Sequence, residues 1–177
     1  MIQRLKAFQI NQNRLFYHTI PSLVGPLTIL ASLDHLHGVL WDHDFHDQEV
    51  EELLLSIKKA KKETLILEIK KQLLEFFEGK RRRFNLPLRI QGTFFQETVW
   101  KELQEIEYGT TISYKELAKR VGDGNKARAV GNANGSNPIP VIIPCHRVIA
   151  ESGLLGGFGG GLDKKVLLLD LEKRFRN

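Results

Sequence analysis

Cysteine occurs once in this chain of 177 residues, at position 145, which excludes an internal disulfide and a cysteine-based zinc cage. Also missing is any apolar run near the roughly 20 residues that a membrane-spanning helix needs, so no membrane partner is expected. The opening Met1-Ile2-Gln3-Arg4-Leu5-Lys6 has neither the apolar stretch nor the small-residue cleavage site of a secretory signal, and a cytoplasmic location is the expectation. Low-complexity tracts and internal repeats are absent as well. Acidic side chains fall short of basic ones, 21 against 26, for a net charge of +5 and a pI near 9.3. That excess permits a polyanionic partner without requiring one.

What is present divides at residues 1–90 and 91–177, two small domains. In the first, Leu15–Ile20, Pro26–Ala31 and Val39–Trp41 read as short strands separated by turns. From Gln48 to Lys59, residues Val50, Leu53, Leu54 and Ile57 recur at the spacing of an amphipathic helix. A second helical pattern, through Ile66, Ile69, Leu73, Phe76 and Phe77, closes at Gly79, a suitable helix stop. The run Lys80-Arg81-Arg82-Arg83 follows, either a solvated surface or an aid to polyanion contact. Extended Asn85-Leu86-Pro87-Leu88 leads to the boundary.

The second half is mainly helical. Thr93-Phe94-Phe95-Gln96 has the form of a capping box, followed by an apolar stripe of Phe95, Val99, Leu103 and Ile106 that ends at Gly109. Ser113-Tyr114-Lys115-Glu116 is a second capping box, opening a short helix to Arg120. A tight turn, Val121-Gly122-Asp123-Gly124, leads to another short helix from Asn125 to about Asn134, the outline of a helix-turn-helix. Val141–Ile143 reads as a strand, and after a glycine-rich loop a helix from Asp163 to Phe175 closes the chain. Its buried row is expected to be Leu162, Val166, Leu169 and the stem of Lys173. The fold class is therefore α+β.

The densest chemical signal is Pro138-Ile139-Pro140-Val141-Ile142-Ile143-Pro144-Cys145-His146-Arg147-Val148. Three prolines within seven residues fix backbone angles and remove donors, so the segment presents one conformation. At its tip a thiol stands beside an imidazole and the cation of Arg147. Thiolate is the nucleophilic form, and a nearby base or cation makes it accessible. A lone cysteine is by default a small buried hydrophobe; the rigid frame and the cation weigh against that reading for Cys145. In an extended segment, neighbouring side chains point to opposite faces, so a water or a local kink has to connect Cys145 and His146. A histidine base also needs an orienting acceptor, for which Asp170 and Glu172 are candidates.

The second helix of the helix-turn-helix reads Lys126-Ala127-Arg128-Ala129-Val130-Gly131-Asn132-Ala133. Reading bases in the major groove takes several long polar side chains, and here only Arg128 stands between small residues. Such a helix either packs in a core or presses into a narrow groove without reading sequence. Chemistry on a base within a duplex requires the base to be turned out, and a long cation fills the gap it leaves. The stretch Gly153 to Gly161, with Phe158 as its one aromatic, is a candidate base pocket. It is not a dinucleotide loop, because it does not open a helix after a strand within a βαβ unit. Asp34, His35, His37, Asp42, His43, Asp44, His46 and Asp47 crowd a turn without metal-ligand spacing. No metal and no cofactor are expected.

Pro144-Cys145-His146-Arg147-Val148 resembles the active-site motif of the O6-alkylguanine-DNA alkyltransferases. Thr98-Val99-Trp100-Lys101, Gly109-Thr110-Thr111-Ile112-Ser113-Tyr114, Ala127-Arg128-Ala129-Val130-Gly131, Asn137-Pro138-Ile139-Pro140 and Gly160-Gly161-Leu162 resemble that family too, in its order. The resemblance covers residues 92–175 and is weaker before them, where Phe76-Phe77-Glu78-Gly79 and Phe84-Asn85-Leu86-Pro87-Leu88 match best.

The resemblance implies an N-terminal ribonuclease H-like α/β domain followed by a winged-helix-like C-terminal domain. It implies transfer of a methyl or other alkyl group from O6-alkylguanine, and by extension O4-alkylthymine, in double-stranded DNA to Cys145, once per molecule and irreversibly. His146 is then the base acting through water, Glu172 orients it, Asn137 braces the turn, and Tyr114 contacts the extruded base. Pro140, Val148, Phe158, Gly159 and Lys165 are the implied substrate-binding residues. Arg128, Ala127, Ala129 and Gly131, with Tyr114, are the implied contacts to the minor groove, made by a monomer without sequence specificity. Location is then the cytoplasm, at the nucleoid in a bacterium or in the nucleus of a eukaryote. Two departures stand out. Some members carry Tyr-Ser where this chain has Phe158-Gly159, so one side-chain hydroxyl toward the guanine oxygen is missing and tolerance of bulky alkyl groups is in doubt. Others bind zinc through N-terminal cysteines that this chain lacks. A non-catalytic lesion-recognition protein is the alternative; relatives of that kind replace the cysteine.

Overall fold

The computed structural model describes residues 15–60 and 63–176; the opening hexapeptide lies outside them. The chain divides into two compact units, Met1–Gln91 and Gly92–Asn177.

In the first unit, β1 (Phe16–Ile20), β2 (Leu27–Ala31) and β3 (Leu36–Trp41) form an antiparallel meander. A 3-10 turn, Asp42–His46, leads to α1 (Gln48–Ser56), then β4 (Lys58–Lys59) and α2 (Thr64–Phe77). The sheet order is β3-β2-β1-β4, with β4 parallel to β1. Every residue of β2 and β3 is buried, so these strands are covered on both faces and read as apolar runs. Leu15, Leu30 and Leu40 pack with Val50, Leu53 and Ile57 around α1. Buried Gln72 of α2 uses both ends of its amide on the backbone of Asn85, at 2.9 and 3.1 Å, and so fixes the return of the chain toward β3.

Two boundaries differ from the sequence reading. The helix expected to reach Lys59 stops at Ser56, because Ile57 is extended and Lys58 and Lys59 pair with Phe16 and Tyr17. The strand expected from Val39 begins at Leu36, since the pairing of Gly38 with Leu30 overrides the low strand preference of glycine.

The second unit holds α3 (Phe94–Gln104), β5 (Ile112–Ser113), α4 (Tyr114–Arg120), α5 (Ala127–Gly135), β6 (Val148–Ile149) and α6 (Leu162–Arg174). Both helix starts were legible as N-terminal signals. Thr93 accepts from the Gln96 N–H and the Gln96 side chain answers on the Thr93 N–H, a full capping box. At Ser113 only the N-cap half forms, accepting from the Glu116 N–H at 3.0 Å, because the Glu116 carboxylate turns to Arg120. The indole of buried Trp100 donates to the Ala133 carbonyl at 2.8 Å and locks α3 to α5. β5 and β6 form a two-stranded parallel pair.

The strand expected at Val141–Ile143 does not form. Pro138, Pro140 and Pro144 offer no N–H to a ladder, and the chain turns instead, with Val141 at φ 73°. Cys145–Arg147 is a 3-10 turn and not the extended segment expected, so Cys145 and His146 are not on opposite faces of a strand. The buried row of α6 is Lys165, Leu168, Leu171 and Glu172. Leu162 and Val166, expected inside, are exposed, as is Lys173. Among the described residues no helix is long and apolar enough to cross a membrane.

Candidate active site

The 3-10 turn Cys145–Arg147 sits at the end of the proline-framed segment and is buried throughout. Asn137 braces it: its Nδ2 donates to the Ile143 carbonyl at 2.8 Å and its Oδ1 accepts from the Ile139 N–H at 3.0 Å. This cross-brace holds the positive φ of Val141, a strained state for a β-branched residue.

Behind the cysteine lies a buried charge network. Of the two acceptors considered for His146, the structure selects Glu172, whose Oε1 is 2.8 Å from His146 Nε2. Asp170 is exposed on the other side of α6. Glu172 also receives Arg147, whose Nε lies 3.1 and 2.9 Å from the two oxygens and whose Nη2 lies 2.8 Å from Oε1. The Gly109 N–H donates to its other oxygen at 2.9 Å. Arg147 Nη1 donates to the Ile106 carbonyl at 2.5 Å, and its guanidinium lies 5.7 Å from the Tyr108 ring centre. Burial alone would raise the Glu172 carboxyl, but the hydrogen bonds and charges of His146 and Arg147 bring it down to about 2. Glu172 is therefore ionised and accepts only. Burial lowers the His146 imidazole, outweighing the opposite pull of Glu172, so the ring is neutral at pH 7. A neutral ring facing a carboxylate carries its proton on Nε2. That leaves Nδ1 with a lone pair; this atom is buried and bonded to no described residue.

Lys165 is fully buried, and its Nζ donates to the carbonyls of Val148, at 2.6 Å, and Leu155. Burial lowers it to about 8, against the pull of nearby Cys145. It ties the glycine-rich segment to β6, 5.9 Å from the Tyr114 ring centre and 6.0 Å from that of Phe158.

A cleft of about 620 Å³ opens beside this network, lined by Tyr114, Ala127, Arg128, Gly131, Asn132, Gly135 and Gly157 to Gly159. Six residues singled out in the sequence thus line one cleft: Tyr114, Ala127, Arg128, Gly131, Phe158 and Gly159. Cys145, Pro140, Val148 and Lys165 are buried and do not line it, and Ala129 is exposed on α5 outside it. The Tyr114 hydroxyl donates to the Gly157 carbonyl at 3.2 Å. Burial and the neighbouring Cys145 raise its pKa, so it stays a phenol able to donate. A side chain at Gly156, where φ is 65°, would meet Tyr114 atoms at 2.9 Å, so glycine is required there.

Sequence reasoning missed Arg147 as the second anchor of Glu172 and missed the Gly109 amide. The glycine was legible only as a helix stop. The other clusters carry no comparable geometry. Buried His37 shares a 3.0 Å hydrogen bond with Ser32, and Asp44 accepts from the Trp41 N–H at 2.8 Å. Among the described residues no group of His, Cys, Asp and Glu is arranged to hold a metal ion. In the basic run, Lys80 pairs with Glu78 at 2.6 Å and Arg81 with Glu75 at 2.7 Å.

Two family models match the chain: the 6-O-methylguanine DNA methyltransferase ribonuclease-like domain over residues 15–90 and the DNA-binding domain of the same family over 94–174. A methylated-DNA–protein-cysteine methyltransferase of Haemophilus influenzae is 41% identical over 162 residues, which cover 90% of this chain and 87% of that protein. The one from Mycolicibacterium paratuberculosis is 52% identical over 103 residues, 58% of this chain and 62% of that relative's length. The crystal structure of Mycobacterium tuberculosis O6-methylguanine methyltransferase superposes with a TM-score of 0.80 at 41% identity, covering 90% of this chain and 93% of that one. The structure of M. tuberculosis OGT in complex with DNA gives 0.81 at 39% identity, covering 90% and 94%. The expected order, an α/β domain of ribonuclease type and then a helical DNA-binding domain, holds along the chain. On these matches and on the order of its motifs, the chain belongs to the 6-O-methylguanine DNA methyltransferase family.

Proposed function

We propose that this protein repairs alkylated DNA by direct reversal, moving a methyl or other alkyl group from the O6 of guanine to the sulfur of Cys145. The observation that carries this reading is the network His146–Glu172–Arg147 behind the single cysteine, beside a cleft walled by Tyr114 and Arg128. The thiol gives its proton through a water to His146 Nδ1, the lone pair that the Nε2–Glu172 hydrogen bond leaves available. The thiolate attacks the alkyl carbon, the S–C bond forms as the C–O6 bond breaks, and the electron pair stays with guanine. Guanine takes up a proton on its ring, with the Tyr114 hydroxyl as the nearby donor. His146 then releases the proton it took and Tyr114 regains one through solvent, so that in net the thiol hydrogen and the alkyl group exchange places and no cofactor is consumed. A thioether has no easy reverse path, so each molecule acts once.

For the base to reach the cleft it must leave the duplex. Helix α5 is suited to driving it out, since Ala127, Ala129 and Gly131 keep the helix surface low and exposed Arg128 is long enough to occupy the gap. Contacts of this kind to the minor groove carry little sequence information, because its donor and acceptor pattern is degenerate. O4-alkylthymine offers the same leaving oxygen and is a second substrate class. One chain supplies every residue of the network, so a monomer suffices. A reducing cytoplasm keeps Cys145 a thiol.

The test is capture of labelled methyl from a duplex holding one O6-methylguanine. Wild-type protein should retain the label through denaturation, and Cys145→Ser should bind the duplex but retain none. Lesion binding without label transfer by the wild type would instead favour a recognition protein.

A further inference from the structure

We propose that Asn134 is a positioning residue for this reaction, fixing Cys145 to the DNA-docking helix through the Cys145 carbonyl. The inference rests on Cys145 as the alkyl acceptor and adds a residue that belongs neither to the charge network nor to the cleft wall. Helix α5 has two dissimilar ends. Arg128 is exposed near its start, whereas Ala133 and Asn134 near its finish are buried. Asn134 is 2% exposed, and its Nδ2 donates to the Cys145 carbonyl at 3.2 Å. The same carbonyl accepts the Val148 N–H, which closes the 3-10 turn. Two donors therefore fix the peptide plane of Cys145 and, through it, the direction of its Cα–Cβ bond.

The other half of the amide is idle. Asn134 Oδ1 is buried and has no hydrogen-bond partner among the described residues. Asn137, three residues on, is the contrast: both ends of its amide are used to brace the turn. A buried acceptor left unmade costs stability, and an apolar side chain of similar size avoids that cost. Stability alone thus favours leucine at position 134, beside buried Val130 and Ala133. What the amide supplies is one donor, and its target is the nucleophile's own backbone. Because the donor sits on α5, the sulfur is registered against the helix that carries Arg128 and not only against its own loop. Reacting atoms misplaced by about 1 Å lose on the order of 100-fold in rate.

Asn134→Leu and Asn134→Asp test this in the full chain, by the single-turnover rate of methyl transfer at saturating duplex, duplex affinity and Tm. For N134L a rate loss on the order of 10- to 100-fold is expected, with affinity unchanged and Tm equal to or above wild type. For N134D the rate relative to N134L should rise as pH falls, because a protonated carboxyl regains an O–H donor. An N134L rate within twofold of wild type overturns the proposal, as does a rate loss matched by a fall in Tm, which marks a merely structural contact. Should N134L not fold, the ratio of N134D to wild type decides: a rise toward acid supports the proposal, and a flat ratio overturns it. Wild type run alongside separates the two readings, since no transfer by wild type refutes the acceptor role of Cys145 itself.

Discussion

The two oxygens of Glu172 serve His146, Arg147 and the Gly109 amide at once, so its charge has consequences beyond orienting an imidazole. Glu172→Gln keeps the size but leaves Arg147 a buried cation without its partner, a loss of about 3–5 kcal/mol. It also releases the His146 tautomer, and the rate of methyl transfer should fall on the order of 100-fold or more. Denaturant unfolding and single-turnover kinetics measure the two effects. The same groups set the acid behaviour. Glu172, held at about 2, contributes stability that is present above the ordinary carboxylate value of 4.5 and is lost as pH falls toward 2. His146 lies below its ordinary 6.5, so on acidification from 6.5 the unfolded chain binds a proton that the fold refuses, and stability falls there too. Unfolding free energy should therefore decline from pH 6.5 downward. His146→Asn should flatten the upper part of that slope, and an unchanged slope would show that His146 titrates normally. At this scale Cys145, His146 and Glu172 were legible from residue type and from the family motif. Arg147 was legible only as a neighbouring cation, because which carboxylate it meets depends on how α6 folds back on the 3-10 turn.

Helix α5 is the proposed DNA-docking element. Arg128→Ala should slow methyl transfer from a duplex by at least about tenfold and lower the salt dependence of duplex binding by about one counterion. Reaction with free O6-alkylguanine base should stay near wild type. Equal losses on duplex and free base would mean that Arg128 serves the cleft and not base extrusion. Helices with side-chain N-caps were legible from sequence, because Thr93 and Ser113 bond their own first turns and need no partner from elsewhere. Elements decided by distant pairing were not. β4 exists because Lys58 and Lys59 find β1, and β5 because Ile112 finds Val148, more than thirty residues away. Apolar content also misled at Val141–Ile143, where side chains of strand type occupy a buried turn that prolines keep out of a ladder. The buried face of α6 was misassigned because Lys165 and Glu172 are inside, contrary to their type, held there by backbone carbonyls and by Arg147.

For the molecule as a whole, the chemistry sits in the second unit, whose described residues contain the thiol, the network and the cleft. The proposed reaction ends in a thioether and makes the protein its own product, so it predicts as many lesions repaired as molecules spent. With lesion in excess, demethylated guanine should rise to one per protein and stop. The most direct measurement is intact-protein mass after incubation with excess duplex carrying O6-methylguanine, followed by peptide mapping. Self-alkylation predicts a gain of a single methyl group, confined to the Cys145 peptide and absent from Cys145→Ala. Unmodified protein with repaired guanine, or a methyl group on any other residue, would contradict it.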